Sequence, residues 1–366
     1  MSNNERKILI MAGGTGGHIF PALSIAEKLQ HSGAKVEWLG AIGGLETRIV
    51  GETDIPLHVI SVKGLRGKGL LPLVLAPFMI IKAVAQALGV MRKVKPDCVL
   101  GMGGFVTGPG GVAAVLSGRK LLIHEQNAVP GVTNKMLSVV ARKVLVAFPG
   151  AFKAKEKVEF TGNPVRQSII LATEARRDRA SSNVIMHILV LGGSQGAVAI
   201  NEVIPPMLAL WKNQNVPHVI HQTGRLNLDD TLALYRTHSM DPGEQLKVTG
   251  FIDDMAEAFA WADVVICRSG ASTVCELAVA GLPAILVPYP YHKDNQQTKN
   301  AQWLSDADAA ILIQQVDLSP ELLMENLAKL DEDRSRLTAM SNVARALGTP
   351  DASTKIANRV LEAANG

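Results

Sequence analysis

Four glycine-rich segments carry most of the chemistry in this sequence: GGTGGH (13–18), GMGGFVTGPGG (101–111), GGSQGA (192–197) and RSGASTVCE (268–276). Without a side chain, glycine lets backbone N–H groups come close to a ligand. Where such a turn opens a helix, the helix terminus adds partial positive charge. That combination suits a phosphate or pyrophosphate. One such turn is as common without a ligand as with one; four in one chain favour phosphate-bearing ligands. In RSGASTVCE the amides and the hydroxyls of Ser269, Ser272 and Thr273 can meet phosphate oxygens. Glu276 can accept hydrogen bonds from a ribose diol, or can be a carboxylate near a helix start. HKDNQQ (292–297) adds a polar cluster just after the apolar run AILVPYP.

Two nucleotide signatures fail. The dinucleotide pattern GxGxxG, counted from Gly14, ends on Ile19, and from Gly193 it lacks its second glycine. The acidic residue expected after the next strand is absent or misplaced, since Glu37 lies inside VEWLG. The P-loop pattern is missing as well. A nicotinamide cofactor is disfavoured.

Apolar runs must deliver these turns. Ile8–Met11 leads into the first, and Ile188–Leu191 leads into the third, whose glycines stand 179 positions after those of the first. Each is followed by a helical pattern, the first from Pro21 onward. A continuous apolar run reads as a strand buried on both faces. Further runs at Val36–Leu39, Cys98–Gly101, Lys120–His124, Val144–Ala147, His218–Gln222, Val264–Cys267 and Ala284–Val287 alternate with helical stretches. Strands alternating with helices imply parallel sheets. The expected fold class is α/β, two Rossmann-like doubly wound domains in tandem. The linker is placed within Thr161–Asn183 and a second crossing near Gly348–Asp351, before a last helix from about Ser353 to Ala364.

Composition narrows the classes. The chain has 366 residues, 47% hydrophobic and 19% charged, which fits globular domains and excludes a disordered polyelectrolyte. Aromatics are only 4%, too few for a nucleic-acid stacking platform, so nucleic acid is not an expected partner. Three cysteines with no CxxC pair argue against a disulfide framework or a zinc site. No signal peptide is visible, so a cytoplasmic location is expected. The net charge of +4 hides a division: residues 1–165 hold 20 Lys+Arg against 10 Asp+Glu, and residues 166–366 hold 17 against 23. A basic half joined to an acidic half implies different partners for each.

GGTGGH, GGFVTGP, HEQNAVPG (124–131), GNPVR (162–166), GGSQGA, FIDDM (251–255), CRSGASTVCE and HKDNQQ occur in the order seen in the MurG family. The chain resembles that family from Ile8 to about Ala301. These are the N-acetylglucosaminyltransferases that make the second lipid-linked intermediate of peptidoglycan. The resemblance implies a GT-B fold, two Rossmann-like doubly wound parallel-sheet domains facing a cleft. Residues 1–163 would form the acceptor and membrane-association domain, and 164–349 the UDP-GlcNAc domain. A C-terminal helix, about 350–366, would pack back on the first domain. The implied reaction transfers GlcNAc, with inversion, from UDP-GlcNAc to the C4 hydroxyl of MurNAc in undecaprenyl-pyrophosphoryl-MurNAc-pentapeptide. The implied place is the cytoplasmic face of the bacterial inner membrane, with other cell-wall synthesis proteins as candidate partners. By similarity the donor site includes Thr15, Gly16, Gly17, Asn127, Arg166, Ser194, Ile252, Ala271, Ser272, Thr273, Val274, Cys275, Glu276, Gln296 and Gln297. Ser194 would meet the pyrophosphate, the Ile252 backbone the uracil, Glu276 the ribose and Gln297 the sugar hydroxyls.

An inverting transfer needs a base for the acceptor hydroxyl and a counter-charge for departing UDP. His18 is the first base candidate because its ordinary pKa of ~6.5 suits proton removal near neutrality; phosphate binding and a structural role are its alternatives. Glu125 is the second, its alternative being a buried acid that holds the loop carrying Asn127. The helix start after Gly270, with Arg268 or Arg166, can neutralise the leaving group, so neither a metal nor another cofactor is expected. Asp306-Ala307-Asp308 matches a metal-binding DxD, but in SDADAA it reads better as a solvated helix end.

Residues 69–91, GLLPLVLAPFMIIKAVAQALGVM, contain a single charge, Lys82. The uninterrupted apolar part, from Gly69 to Ile81, is shorter than the ~20 residues of a span and contains Pro72 and Pro77. Either it is an interior helix, or it docks on anionic lipid through the flanking Lys63, Arg66, Lys68, Arg92, Lys93 and Lys95. Two rival functions remain: a UDP-GlcNAc 2-epimerase of the same fold, and a non-catalytic nucleotide-sugar-binding membrane module.

Overall fold

The computed structural model describes residues 5–62, 70–153, 155–177, 185–193, 196–211, 216–292 and 294–366, with side chains for all of these except 70–76 and 173–177. Ser194, Lys63, Arg66, Lys68 and most of the expected linker stretch ARRDRASSN lie outside the described residues. The chain forms two compact units, one of residues 1–166 and 350–366, the other of 167–349.

The first unit runs β1 (Lys7–Ala12), α1 (Gly16–His31), β2 (Lys35–Ala41), α2 (Leu45–Ile49), β3 (Leu57–Ile60), α3 (Leu70–Val94), β4 (Cys98–Gly103), α4 (Thr107–Leu116), β5 (Lys120–Glu125), α5 (Val132–Val140), β6 (Lys143–Val146) and β7 (Val158–Phe160). The second comprises α6 (Gln167–Arg177), β8 (His187–Leu191), α7 (Val198–Ala209), β9 (His218–Gln222), α8 (Leu228–Thr237), β10 (Leu246–Thr249), α9 (Met255–Trp261), β11 (Val264–Cys267), α10 (Ala271–Ala280), β12 (Ala284–Leu286), α11 (Gln296–Ser305), β13 (Ala310–Leu312), α12 (Pro320–Glu332) and α13 (Arg334–Leu347). The last helix, α14 (Ala352–Asn365), belongs to the first unit.

Both sheets are parallel throughout, in the orders β3-β2-β1-β4-β5-β6-β7 and β10-β9-β8-β11-β12-β13. Helices cover both faces, which is why the central strands read as unbroken apolar runs. Along β1, Ile8, Ile10 and Ala12 join the core under α1 and α14, with Trp38, Ile25, Ile356 and Val360. Leu9 and Met11 point to the opposite core, with Leu39, Val99, Ala87 and Leu137. The second unit repeats the device: Ile188, Val190 and Ile266 pack with Ile204, Leu327 and Met340.

Strand order reverses between β1 and β4 in one sheet and between β8 and β11 in the other. Ligands of open parallel sheets bind at the carboxyl ends of the strands at such a reversal. The four glycine-rich segments follow, or include the end of, these four strands. α1 begins at Gly16, five residues before the start read at Pro21; Gly16 and Gly17 are weak helix formers, so the sequence pattern hides its opening. α3 is not an interior helix: Ala83, Ala87 and Met91 are buried while Phe78, Ile80 and Ile81 are exposed.

Candidate functional site

In the first unit the site grows from two glycine turns seated on each other. β1 ends at Ala12, and Gly14, at φ +89°, turns the chain into α1, with Thr15 as its N-cap. β4 ends at Gly103 and Gly104, at φ +106° and +83°. A Cβ on Gly104 would collide with the Gly13 carbonyl, and one on Gly103 would stand 2.6 Å from His18 Cδ2. Only glycine allows this approach. Thr107 locks the second turn: its hydroxyl donates to the Gly103 carbonyl at 2.7 Å and accepts from the Gly103 amide at 3.1 Å. His18 is therefore wedged at the carboxyl edge, half-buried, with Nδ1 3.2 Å from Thr15 Oγ1. Burial lowers its pKa below the ordinary histidine value, opposed in part by the charge of Glu125 and by a hydrogen bond to the Gly13 carbonyl. The ring is neutral at pH 7, as proton removal from a hydroxyl requires.

Glu125 closes β5 and is almost wholly buried. Its Oε1 accepts from the amide and side chain of Asn127 at 3.0 and 3.3 Å, and its Oε2 from Gly131 N at 3.0 Å and Asn134 Nδ2 at 2.8 Å. Each oxygen already has two donors, so the geometry is that of an acid holding the loop that carries Asn127. That was one of the two readings of Glu125 from sequence, and it leaves no lone pair directed at an acceptor proton. Behind it, His124 is fully buried, with Nε2 2.9 Å from the Gly162 carbonyl and its pKa lowered by desolvation to about 4. Thr15, Gly16 and Gly17 form the opening of α1 beside His18, and Arg166 is exposed at the end of the unit.

Sequence reasoning missed Glu46. This fully buried acid on α2 accepts from Gly14 N at 3.1 Å and Ala41 N at 2.7 Å, so it braces the first glycine turn from beneath. The available signal was a lone acid two residues after the glycine pair Gly43-Gly44.

In the second unit the carboxyl ends of β8 and β11 carry the other two turns. Gly192 N donates to the Gln222 carbonyl at 2.8 Å, and Gly193 and Gly196 take φ of +75° and +82°. After β11, Gly270 caps α10, which opens with Ala271, Ser272 and Thr273. No acid stands in its first turn, so Glu276, six residues in, is not a capping carboxylate. Val274 and Cys275 turn their side chains into the interior, and the Val274 amide is already donated to Gly270 at 2.9 Å. Ile252 is half-buried in the loop after β10.

Gln296 and Gln297 open α11 after Asn295, which has a left-handed φ of 47°. Gln297 Oε1 accepts from Tyr289 N at 2.9 Å, which leaves its NH2 end for a ligand oxygen. Ser269 is fully buried and donates to the Gln297 carbonyl at 2.8 Å, so it ties α11 to β11 and its proton is not offered to a phosphate. Arg268 corrects a further expectation. Its guanidinium donates to the carbonyls of Val287 and Pro288, each at 3.1 Å, and to Gln315 Oε1 at 2.6 Å, with its carbon 5.7 Å from the Tyr289 ring centre. It braces β12 against β11 rather than waiting for a leaving group. Asp306 and Asp308 are exposed at the end of α11, and no group of three or more His, Cys, Asp or Glu among the described residues could hold a metal.

Two parallel-sheet units with glycine turns at both strand-order reversals have the architecture of the GT-B class of glycosyltransferases. The chain belongs to glycosyltransferase family 28: residues 8–146 match its N-terminal domain and residues 187–356 its C-terminal domain. It is 50% identical over 362 residues to the UDP-N-acetylglucosamine--N-acetylmuramyl-(pentapeptide) pyrophosphoryl-undecaprenol N-acetylglucosamine transferase of Marinobacter nauticus, covering 99% of each chain. The enzyme of the same name from Methylococcus capsulatus is 49% identical, over 98% of this chain and 99% of its own. Among solved structures, Acinetobacter baumannii MurG matches with a TM-score of 0.83 at 40% identity, covering 98% of this chain and 99% of that one. The UDP-GlcNAc 2-epimerase of Neisseria meningitidis, at 14% identity and a TM-score of 0.70 over 97% and 100% of the two chains, shares the fold alone.

Proposed function

We infer that this chain is an N-acetylglucosaminyltransferase that moves GlcNAc from UDP-GlcNAc to the C4 hydroxyl of MurNAc in undecaprenyl-pyrophosphoryl-MurNAc-pentapeptide, the lipid I to lipid II step of peptidoglycan synthesis. The observation that carries this is half-identity along the full length to transferases of that name. A neutral, positioned histidine at a sheet reversal supports it.

The reaction is one in-line displacement at the anomeric carbon. In our reading, the first unit holds the acceptor and the second the donor. The neutral His18 ring keeps one nitrogen lone pair, which removes the proton from the attacking hydroxyl. Base catalysis of this kind contributes ~10²–10⁴ in rate. The start of α10 presents amides without helical partners, where the negative charge on departing UDP is stabilised. Glu276 accepts from the ribose diol, the Ile252 backbone meets the uracil, Gln296 and the NH2 end of Gln297 face the sugar, and Asn127 is held ready by Glu125.

The first unit also carries a lipid-docking surface. α3 packs on α4 and α4 on α5. Their outward faces are apolar: Phe78 (71% exposed) and Ile81 on α3, Val112, Val115 and Leu116 (67%) on α4, and Val132, Met136 (71%) and Val139 (76%) on α5. Patches this extensive mark interaction surfaces. Lys82, Arg92, Lys93 and Lys135 on the same helices suit anionic headgroups. No helix among the described residues is long and apolar enough to cross a membrane. Docking from one side, at the cytoplasmic face of the inner membrane, matches a lipid-linked acceptor.

The test is UDP release from UDP-GlcNAc in chelator, with and without the lipid-linked MurNAc-pentapeptide. Acceptor-dependent release with a disaccharide product is expected. Release that vanishes in chelator and returns with added divalent cation would replace the metal-free mechanism, and conversion of the free donor without any acceptor would replace transfer with epimerisation.

A further inference from the structure

We propose that Glu46 is a positioning residue for the transfer: its buried carboxyl fixes the peptide group between Gly13 and Gly14, and with it the glycine turn that carries Thr15 and His18. The proposal rests on the base role of His18 given above. The Gly13 carbonyl and the Gly14 N–H belong to one peptide plane. Glu46 Oε2 holds the N–H side at 3.1 Å, and the next residue, Thr15, caps α1 with its Oγ1 3.2 Å from His18 Nδ1. A peptide between two glycines has no Cβ on either flank to resist rotation of its plane. Rotation would shift Thr15 and the start of α1, and with them the imidazole that Thr15 Oγ1 contacts. The carboxyl is the group that opposes that rotation.

Glu46 is itself held on every side. Its Oε1 accepts from Ala41 N at 2.7 Å, and the side chain is fully buried. Gly13, Gly40 and Gly44 surround it: a Cβ on Gly40 would stand 2.7 Å from its Cγ, and one on Gly13 or Gly44 would strike the carboxyl. Three glycines thus make room for one acid. A buried carboxyl costs several kcal/mol unless its oxygens are hydrogen-bonded, and here both receive backbone amides.

The same placement divides labour between the glycine turns. Glu46 puts an oxygen anion on a glycine-turn amide, the place a ligand phosphate takes in other such turns. The two buried acids among the described residues, Glu46 and Glu125, both lie in the first unit and accept from Gly14 and Gly131. The second unit has no buried acid among its described residues. The turn after β1 is therefore neutralised from within and presents a base, while the helix start after β11 keeps its amides for the donor's pyrophosphate.

The experiment compares the full-length wild type with Glu46→Gln, Glu46→Ala and His18→Ala, assaying UDP release with the lipid-linked acceptor. Gln keeps the volume but must turn an NH2 toward one of two amide donors. The expected result is a kcat lowered ~10–100-fold in both Glu46 variants, a KM for UDP-GlcNAc unchanged, and recovery of the alanine variant in added formate, which fills the vacated carboxylate position. Formate leaves the wild type and His18→Ala unchanged. A Glu46→Gln variant with wild-type kcat, or a KM that rises in step with the fall in kcat, overturns the proposal, as does a folded alanine variant indifferent to formate. Where the alanine variant fails to fold, the glutamine variant decides. Full activity in His18→Ala defeats the base reading itself, whereas an essential His18 beside an indifferent Glu46 defeats this proposal alone.

Discussion

His18 is held in its neutral form by burial while still facing ligand space, and that sets both its use and its pH response. Because its pKa is lowered, the base form persists below the ordinary histidine range, so the acid limb of kcat lies below pH ~6.5. Replacing it with alanine should lower kcat by ~10²–10⁴ while the KM for UDP-GlcNAc stays put; steady-state kinetics at saturating acceptor decide this. Glu125 should behave differently. Glu125→Gln sets an NH2 against donors that now meet oxygen, so it should destabilise the fold by ~1–3 kcal/mol in urea titration. Unchanged stability with abolished turnover would return Glu125 to the role of base. The sequence exposed His18 because a glycine turn ending in histidine is unusual chemistry. It did not expose Glu46, whose value lies in two backbone amides that only the folded loop brings to it. Arg268 misled for the converse reason: a cation beside a phosphate turn looks available until the carbonyls of Val287 and Pro288 are seen to claim it.

At the scale of elements, the unbroken apolar run was a sound guide to the interior strands and blind to the borders. The four strands it leaves out, β3, β7, β10 and β13, are the two edges of each sheet. An edge strand has one neighbour and a half-exposed face, so it need not be apolar throughout, as in LHVI, VEF and LKVT, whereas β13, AIL, is apolar but only three residues long. The helices show the same dependence on surroundings. Residues 69–91 looked apolar all round, yet α3 turns Ala83, Ala87 and Met91 inward and leaves Phe78 and Ile81 outside. Sequence periodicity could not separate these faces because both are apolar. The outward face continues across α4 and α5, and this is where lipid docking is testable without disturbing the core. Leu116→Glu together with Met136→Glu should abolish sedimentation with anionic vesicles in low salt while leaving the thermal transition intact, since both side chains are exposed. Cosedimentation equal to wild type would remove this surface from membrane binding.

At the scale of the whole molecule, two units built on one plan also share one liability to acid. Each buries a neutral histidine beneath its working edge. His124, in the first, has its pKa lowered to about 4, and His221, in the second, to about 3, in both cases through desolvation. His221 lies between Tyr235 OH, 2.9 Å from Nδ1, and Asn201 Oδ1, 3.1 Å from Nε2. Asn201 Nδ2 in turn donates to the Thr223 carbonyl at 2.9 Å, so Oδ1 is its accepting end. His221 therefore donates from Nε2 and accepts the tyrosine proton at Nδ1, a tautomer that has no place for a second proton. In the unfolded chain both histidines protonate near pH ~6.5. Between that pH and the folded values the unfolded state binds more protons, so stability is full above ~6.5 and falls as the pH drops through that window. From pH 6.5 to 5 the loss is ~2 kcal/mol for each histidine. Urea midpoints measured at pH 7, 6 and 5 should decline accordingly, and His221→Gln should flatten the decline of the second unit while lowering its stability at pH 7. A midpoint independent of pH across that range, with the His221 variant no different in slope, would show that the buried rings are protonated in the folded protein.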